Sequence, residues 1–334
     1  MARRCSSKRC LSYAPVLACC LACATLTFAQ DDFQDVHINP LPKPQTTEKR
    51  EIASANMPVI HKNVDLVMVP VTVTDQLNRI VTGLDQNNFR LFDGKQQQVI
   101  KHFSSEDSPV SLGIVLDLSK SMSSKIERAR QAVLEFCKAA NPQDEFFMVT
   151  FADRPELAAD FTKEPEELEK HMAFVRTQGR TALLDAVYLS LNQMRRAQYE
   201  KRALLIISDG GDNRSRYTES EIRSMVKESD VEIYSIGIFD SGSTVLEEIN
   251  GPALLEEIAS LTGGQAFTID NVNLLPQLAV KVGTALRNQY MLAYKPDDTQ
   301  RNGKWHKIKI KLTVPNSLWP LWIHAKPGYY APAQ

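Results

Sequence analysis

Along residues 64–74 apolar and polar side chains alternate. Val67, Val69, Val71 and Val73 share one face, and Leu66, Met68, Thr72 and Thr74 the other. Period-two alternation predicts a strand with one face on a core, and Pro70 predicts that this strand runs at an edge or a bulge. A turn follows over 75–79, a second strand begins over 89–92, and Asp93-Gly94 predicts a hairpin turn into a strand over 99–103. Residues 64–104 therefore read as a small β unit.

From Ser111 the pattern changes to short apolar runs separated by helix-length amphipathic segments. The runs cover 112–116, 146–151, 203–207, 231–238 and 265–269, and the helical segments 125–140, 165–176, 182–196, 218–229, 252–261 and 274–287. This alternation predicts an α/β domain over 108–288 with a doubly wound, Rossmann-like, mostly parallel sheet. Asn141-Pro142 and Gly263-Gly264 mark helix ends within it. After Arg287 period-two alternation returns, in Tyr290, Leu292 and Tyr294 and then in Ile308, Ile310 and Leu312 against Lys307, Lys309 and Lys311. The segments at 64–104 and 289–332 are each too small to be stable alone. Because the two ends of a compact domain tend to lie close together, they are predicted to pair into one small, sandwich-like β domain.

The start of the chain reads differently. Residues 1–29 hold Arg3, Arg4, Lys8 and Arg9, no acid, an apolar stretch over 11–28 and Thr27-Phe28-Ala29 ahead of Asp31 and Asp32. Those features predict a secretory signal peptide and an exported mature chain without a transmembrane anchor. A retained anchor fits less well, because the run is short and broken by Pro15. Acylation at Cys19 or Cys23 would make a lipoprotein, but neither follows a good lipobox. Residues 30–62, with Pro40, Pro42, Pro44 and Pro58 among polar residues, read as a disordered or extended tether.

Composition narrows the functional classes. The 334 residues suit one large or two modest domains, and 43% hydrophobic with 24% charged residues exclude global disorder. Net charge is −1, and without residues 1–29 it becomes −5, from 35 basic against 40 acidic residues. With no run of five basic residues, a dedicated nucleic-acid binder is excluded. Five of the six cysteines precede residue 24, leaving Cys137, which excludes a disulfide framework and a cysteine zinc site in the body of the chain. Cys137 itself reads as a small buried hydrophobe. The six histidines show no His-Glu-x-x-His spacing, and no phosphate-binding Gly-x-x-x-x-Gly-Lys-Ser/Thr loop or Gly-x-Ser-x-Gly elbow occurs.

Three short segments carry candidate chemistry. The first apolar strand ends in Asp117-Leu118-Ser119-Lys120-Ser121, the strand at 203–207 ends in Ser208-Asp209-Gly210-Gly211-Asp212-Asn213, and Gly179-Arg180-Thr181 opens a helix between them. In a sheet of order 3-2-1-4-5-6 the first and fourth strands are neighbours at the topological switch point, where ligands bind. Two carboxylates and three hydroxyls form an all-oxygen donor set, which suits hard cations such as Mg²⁺, Mn²⁺ or Ca²⁺. Each piece also has an ordinary reading as a helix cap or a turn.

Asp-x-Ser-x-Ser, Gly-x-Thr and Ser-Asp-Gly in this order resemble the metal-ion-dependent adhesion site of von Willebrand factor type A domains. The flanks, with Val-Thr-Val-Thr-Asp, Val-Thr-Gly-Leu-Asp, Phe-Asp-Gly-Lys and Lys-Pro-Gly-Tyr-Tyr-Ala-Pro, resemble a bacterial secreted group of acidobacterial type. The resemblance implies that Ser119, Ser121 and Thr181 ligate a metal, with Asp117 and Asp209 binding it or holding its waters. It implies a non-enzymatic module that captures a protein partner, the partner supplying a carboxylate to the metal. Lys120 departs from the pattern, since many members have Gly there; its ammonium would either attract an acidic partner or fold over the site. Asp185 reads as a supporting acid, and Asp212 and Asn213 as loop residues. Two other classes stay open: an assembly protein of the cell envelope, and a metal-assisted hydrolase, for which no His or Lys base is evident near the motif.

Overall fold

A computed structural model describes residues 66–239, 246–296, 302–313 and 320–331. The segments read as signal peptide and tether lie outside the described residues.

The first β segment forms β1 (Val67–Thr74), β2 (Phe89–Asp93), β3 (Gln96–Gln98) and β4 (Ile100–Ser104). The central segment forms β5 (Ser111–Asp117), α1 (Ile126–Ala139), β6 (Glu145–Phe151), β7 (Pro155–Thr162), α2 (Pro165–Ala173), α3 (Leu183–Met194) and β8 (Arg202–Ser208). It continues through α4 (Glu219–Glu228), β9 (Glu232–Ile238), α5 (Leu246–Ser260), β10 (Ala266–Ile269) and α6 (Leu275–Arg287). The last segment forms β11 (Tyr290–Tyr294), β12 (Trp305–Leu312), β13 (Trp322–Ala325) and β14 (Gly328–Tyr330).

The central sheet has the order β10-β9-β8-β5-β6-β7, parallel except for β7. Strand β5, apolar on both faces, is buried along its whole length, as a central strand covered on both sides must be. Leu112, Ile114 and Leu116 point into a core shared with α1, α2 and α6. Val115 points into a second core shared with α3, α4 and α5. Met122, Met148, Met172 and Met194 are all buried in these two cores, and burial pushes the Cys137 thiol up to about 12. Among the described residues no helix is long and apolar enough to cross a membrane.

Strands from the two ends of the chain make two antiparallel sheets, β13-β1-β11-β4 and β14-β12-β2-β3. Val69, Val71 and Val73 from the first sheet meet Leu91, Ile308 and Leu312 from the second in one apolar core. Asp93 is buried between them, where Tyr294 and Tyr329 donate to its Oδ2 at 2.9 and 3.1 Å and His306 Nδ1 lies 3.2 Å from its Oδ1. A buried carboxylate is tolerable when several donors replace its water. His324, likewise without an assigned role from the sequence, packs its Nε2 3.2 Å from Thr74 Oγ1.

Four local expectations change. First, β7 is an additional edge strand that the sequence pattern did not reveal, because only Ala159 in it is buried and no regular alternation marks it. Second, α5 starts at Leu246, with Pro252 inside it rather than near its start. Third, Gly94, at φ 60°, turns the chain into β3, which pairs Asp93 with Gln96. Strand β4 leaves that hairpin for the other sheet and pairs with β11. Fourth, β1 is an inner strand, yet β11 flanks it over Val67–Val71 and β13 over Val71–Thr74. Pro70 therefore falls where one neighbour is paired, and its missing N–H costs the ladder little.

Candidate metal centre

Asp117 ends β5 and Asp209 follows β8, and these two strands are adjacent and in register. Both carboxylates are therefore delivered to the same sheet edge. Each is essentially inaccessible to solvent, at 0% and 1% exposure. The chain around them turns sharply: the Ser119 N–H donates to Asp117 Oδ1 at 2.7 Å, and the Ser208 hydroxyl donates to Oδ2 at 2.5 Å. Those two bonds fix the Asp117 carboxylate. A 3₁₀ turn over Lys120–Ser124 then presents Ser121, whose hydroxyl donates to Asp209 Oδ1 at 2.8 Å and lies 3.0 Å from Ser119 Oγ. Ser119, Ser121 and Asp209 thus form one continuous oxygen cluster.

Thr181 arrives from a third loop. The backbone of that loop is fastened to the first, since Gln178 N–H donates to Leu118 O at 2.8 Å and Lys120 N–H to Gly179 O at 3.2 Å. Gly179 has φ +75°, and a Cβ there would stand 2.5 Å from Asp153 Oδ2. The left-handed backbone favours glycine, while the Asp153 carboxylate is the end of an exposed side chain. The Thr181 hydroxyl lies against the backbone beside Asp209, where a Cβ built on Gly210 would be 3.7 Å from Oγ1.

Asp185, read as a supporting acid, and Asp212 and Asn213, read as loop residues, act as clamps. Asn213 Oδ1 accepts from the Thr181 N–H at 3.0 Å, and the Asn213 N–H donates back to Thr181 O at 3.0 Å. Asp212 accepts from Leu184 N–H at 3.0 Å, and Asp185 accepts from Arg216 N–H at 2.9 Å. The first turn of α3 has N–H groups with no partner inside the helix, and the loop after β8 supplies those partners.

Burial, and then the nearby Asp209 charge, push the Asp117 carboxyl up to about 6 against the pull of its hydrogen bonds. Asp209 instead receives an ammonium: Lys125 Nζ lies 2.7 Å from its Oδ2. Sequence reasoning singled out Lys120, whose side chain is exposed, and missed Lys125. The sequence shows no His or Lys base near the motif, and Lys125 stands there beside Asp209. Its Nζ is held in that ion pair rather than turned toward open space. Ser208 was the other omission, although it stands inside the quoted Ser-Asp-Gly segment. The signal for Lys125 was its place as the first residue of a predicted helix eight positions after Asp117.

The donor chemistry fits a hard divalent cation, with two carboxylates, three hydroxyls and no sulfur or imidazole. Among the described residues no group of three or more His, Cys, Asp or Glu side chains converges, so the hydroxyls are essential to the set. A cleft of about 480 Å³ lies elsewhere, lined by Met68, Lys201, Glu232, Met291 and Tyr329 among others. It opens at the beginnings of β8 and β9, the edge opposite Asp117 and Asp209, so its size says nothing about this cluster.

Residues 112–211 match the family described as von Willebrand factor type A domain. Among curated relatives, an uncharacterized protein of Borreliella burgdorferi is 24% identical over 182 residues, 47% of this chain and 53% of that protein. Inter-alpha-trypsin inhibitor heavy chain H4 of Sus scrofa is 26% identical over 207 residues, 58% of this chain and 21% of that protein. The chain thus spans about half or less of these relatives' length. Among solved structures, the conserved hypothetical protein BatB of Bacteroides thetaiotaomicron is 16% identical with a TM-score of 0.44, covering 53% of this chain and 98% of that one. Sheet order, the oxygen-bearing loops at the ends of β5 and β8, and the match over 112–211 agree: the chain contains a von Willebrand factor type A domain.

Proposed function

We propose that this chain is an exported binding protein. Its α/β domain would hold Mg²⁺, or Mn²⁺ or Ca²⁺ in its place, through Asp117, Ser119, Ser121, Thr181 and Asp209. The metal supplies a Lewis-acidic site for a carboxylate of a protein partner. The chain's own residues do the remaining work. Asp117, braced by Ser208 and Ser119, contributes charge from a fixed position, and the hydroxyls contribute oxygen without adding charge. With two formal negative charges in the set, the site keeps an appetite for a third carboxylate from outside.

The observation that carries this reading is the cluster of Ser119, Ser121 and Asp209, joined by contacts of 2.8 and 3.0 Å beside Asp117. Lys120, Arg180, Arg214 and Arg216 are exposed on the same loops, which supports an acidic partner through steering. Type A domains commonly mediate protein–protein interaction, which agrees with capture rather than catalysis. Export through residues 1–29 and the tether over 30–62 belong to the same proposal and rest on the sequence pattern alone.

Thermal unfolding of the full chain tests the metal. A ligand that binds only the folded state raises the melting temperature, so Mg²⁺ or Mn²⁺ is expected to raise it relative to chelator. Asp117→Ala is expected to abolish that increment while retaining a folded circular-dichroism spectrum. Equal increments in both proteins would sink the assignment.

A further inference from the structure

We infer that Lys125 is a resident counter-cation of the candidate metal centre, holding Asp209 in the metal-free fold and competing with a divalent ion for its Oδ2. The inference rests on the metal reading above and concerns how strongly the site takes its ion.

Lys125 is the residue immediately before α1, the positive end of a helix dipole, where a cation is disfavoured. Its placement therefore needs another reason. The backbone pins it from both sides, with its N–H donating to Met122 O at 2.9 Å and its O accepting from Ala129 N–H at 3.0 Å. From that anchor the stem carries the ammonium to 2.7 Å from Asp209 Oδ2, with the Lys125 side chain 25% exposed and the Asp209 side chain 0%.

Asp209 Oδ1 already accepts from the Ser121 hydroxyl at 2.8 Å, so the ammonium completes the carboxylate. A buried carboxylate left with a single hydroxyl donor is costly, and Lys125 removes that cost without metal. The same charge lowers the formal charge of the cluster from −2 to −1. A divalent ion entering among these oxygens meets a like charge a few ångströms away, at a site screened little by water. Lys125 thereby keeps the loops assembled and the metal weakly held.

Lysine's charge and its packing can be separated with two variants of the full chain, Lys125→Met and Lys125→Gln, titrated with Mn²⁺ by calorimetry and melted with and without Mn²⁺. The glutamine keeps a donor for Asp209 and drops the charge, so it covers the case in which the methionine variant fails to fold without metal. Both variants are expected to bind Mn²⁺ at least about tenfold more tightly, the scale for losing one like charge beside the ion. Their melting temperatures without metal are expected to fall, with a larger rise on adding Mn²⁺. If the wild type binds Mn²⁺ and the folded variants bind it equally or more weakly, Lys125 is an ordinary ion pair and the inference fails alone. If neither wild type nor variants bind Mn²⁺, the metal reading fails and takes this inference with it.

Discussion

At the scale of single residues, the surroundings of two neighbouring carboxylates set them apart. Asp209 has an ammonium partner at 2.7 Å. Asp117 has hydroxyl and amide donors, and burial pushes its carboxyl up to about 6 from an ordinary value of 3.8. A raised folded-state pKa means that the folded protein binds the proton more tightly than the unfolded chain. The associated stability is complete below about 3.8 and is lost as pH rises through about 6, amounting to at most about 3 kcal/mol. Urea unfolding in chelator is therefore expected to show stability falling from pH 4 to pH 7. Asp117→Asn, which cannot ionise, is expected to flatten that fall, to stabilise the metal-free protein at pH 7 and to lose the stabilisation by metal. A steeper fall in the variant would contradict the assignment.

At the scale of elements, the site depends on loops fastened to one another rather than on any single helix or strand. Gly179 carries one of these fastenings, accepting from the Lys120 N–H at 3.2 Å with a φ of +75° that favours glycine. Gly179→Ala is expected to destabilise the protein by about 1–3 kcal/mol, the range for backbone strain of this kind. It is also expected to weaken Mn²⁺ binding, because Thr181 lies two residues on. The clamp of Asn213 on the Thr181 backbone limits the damage to that loop, so the circular-dichroism spectrum is expected to stay native. Unchanged stability and unchanged Mn²⁺ affinity would mean that the loop tolerates another conformation.

For the whole molecule, the question is whether the α/β domain and the β sandwich behave as one. Between α6 and β11 stand Asn288 and Gln289. Gln289 is buried and donates to Glu232 Oε2 at 2.6 Å, at the start of β9, and to Thr72 Oγ1 at 3.3 Å in β1. Tyr234 donates to the other Glu232 oxygen at 3.0 Å, and Lys201 donates to Leu286 O at the end of α6. A network of this kind, buried and spanning both domains, makes separating them expensive. One cooperative unfolding transition is expected, with tryptophan fluorescence and far-ultraviolet circular dichroism coinciding. All three tryptophans, at 305, 319 and 322, belong to the C-terminal segment, while the helices belong to the α/β domain. Gln289→Ala leaves Glu232 short of a donor and is expected to cost about 1–3 kcal/mol and to pull the two signals apart. Coincident signals in the variant would show that other contacts, among them Lys326 to Asp230 at 3.0 Å, suffice to join the domains.

Much of this architecture is legible in local periodicity, because alternation and apolar runs record which faces meet a core. The parallel strands, the six helices among the described residues and the β character of both flanks follow from it, and the residue types mark the three oxygen-bearing segments, two at strand ends and one opening α3. What periodicity does not record is which strands pair. Strand β7 carries no regular alternation to mark it, and β4 lies a few residues beyond a hairpin turn yet joins a different sheet. Nor does it record contacts made across long separations. The Lys125–Asp209 ion pair joins residues 84 positions apart, and a lysine near a motif differs from a lysine in it by where a flexible stem ends. Lys120 and Lys125 are indistinguishable by residue type; a 3₁₀ turn over Lys120–Ser124 leaves the first exposed and aims the second inward. Side-chain identity and spacing are properties of the chain, whereas the partner of a charge is decided by the fold that brings β5, β8 and α1 to one edge.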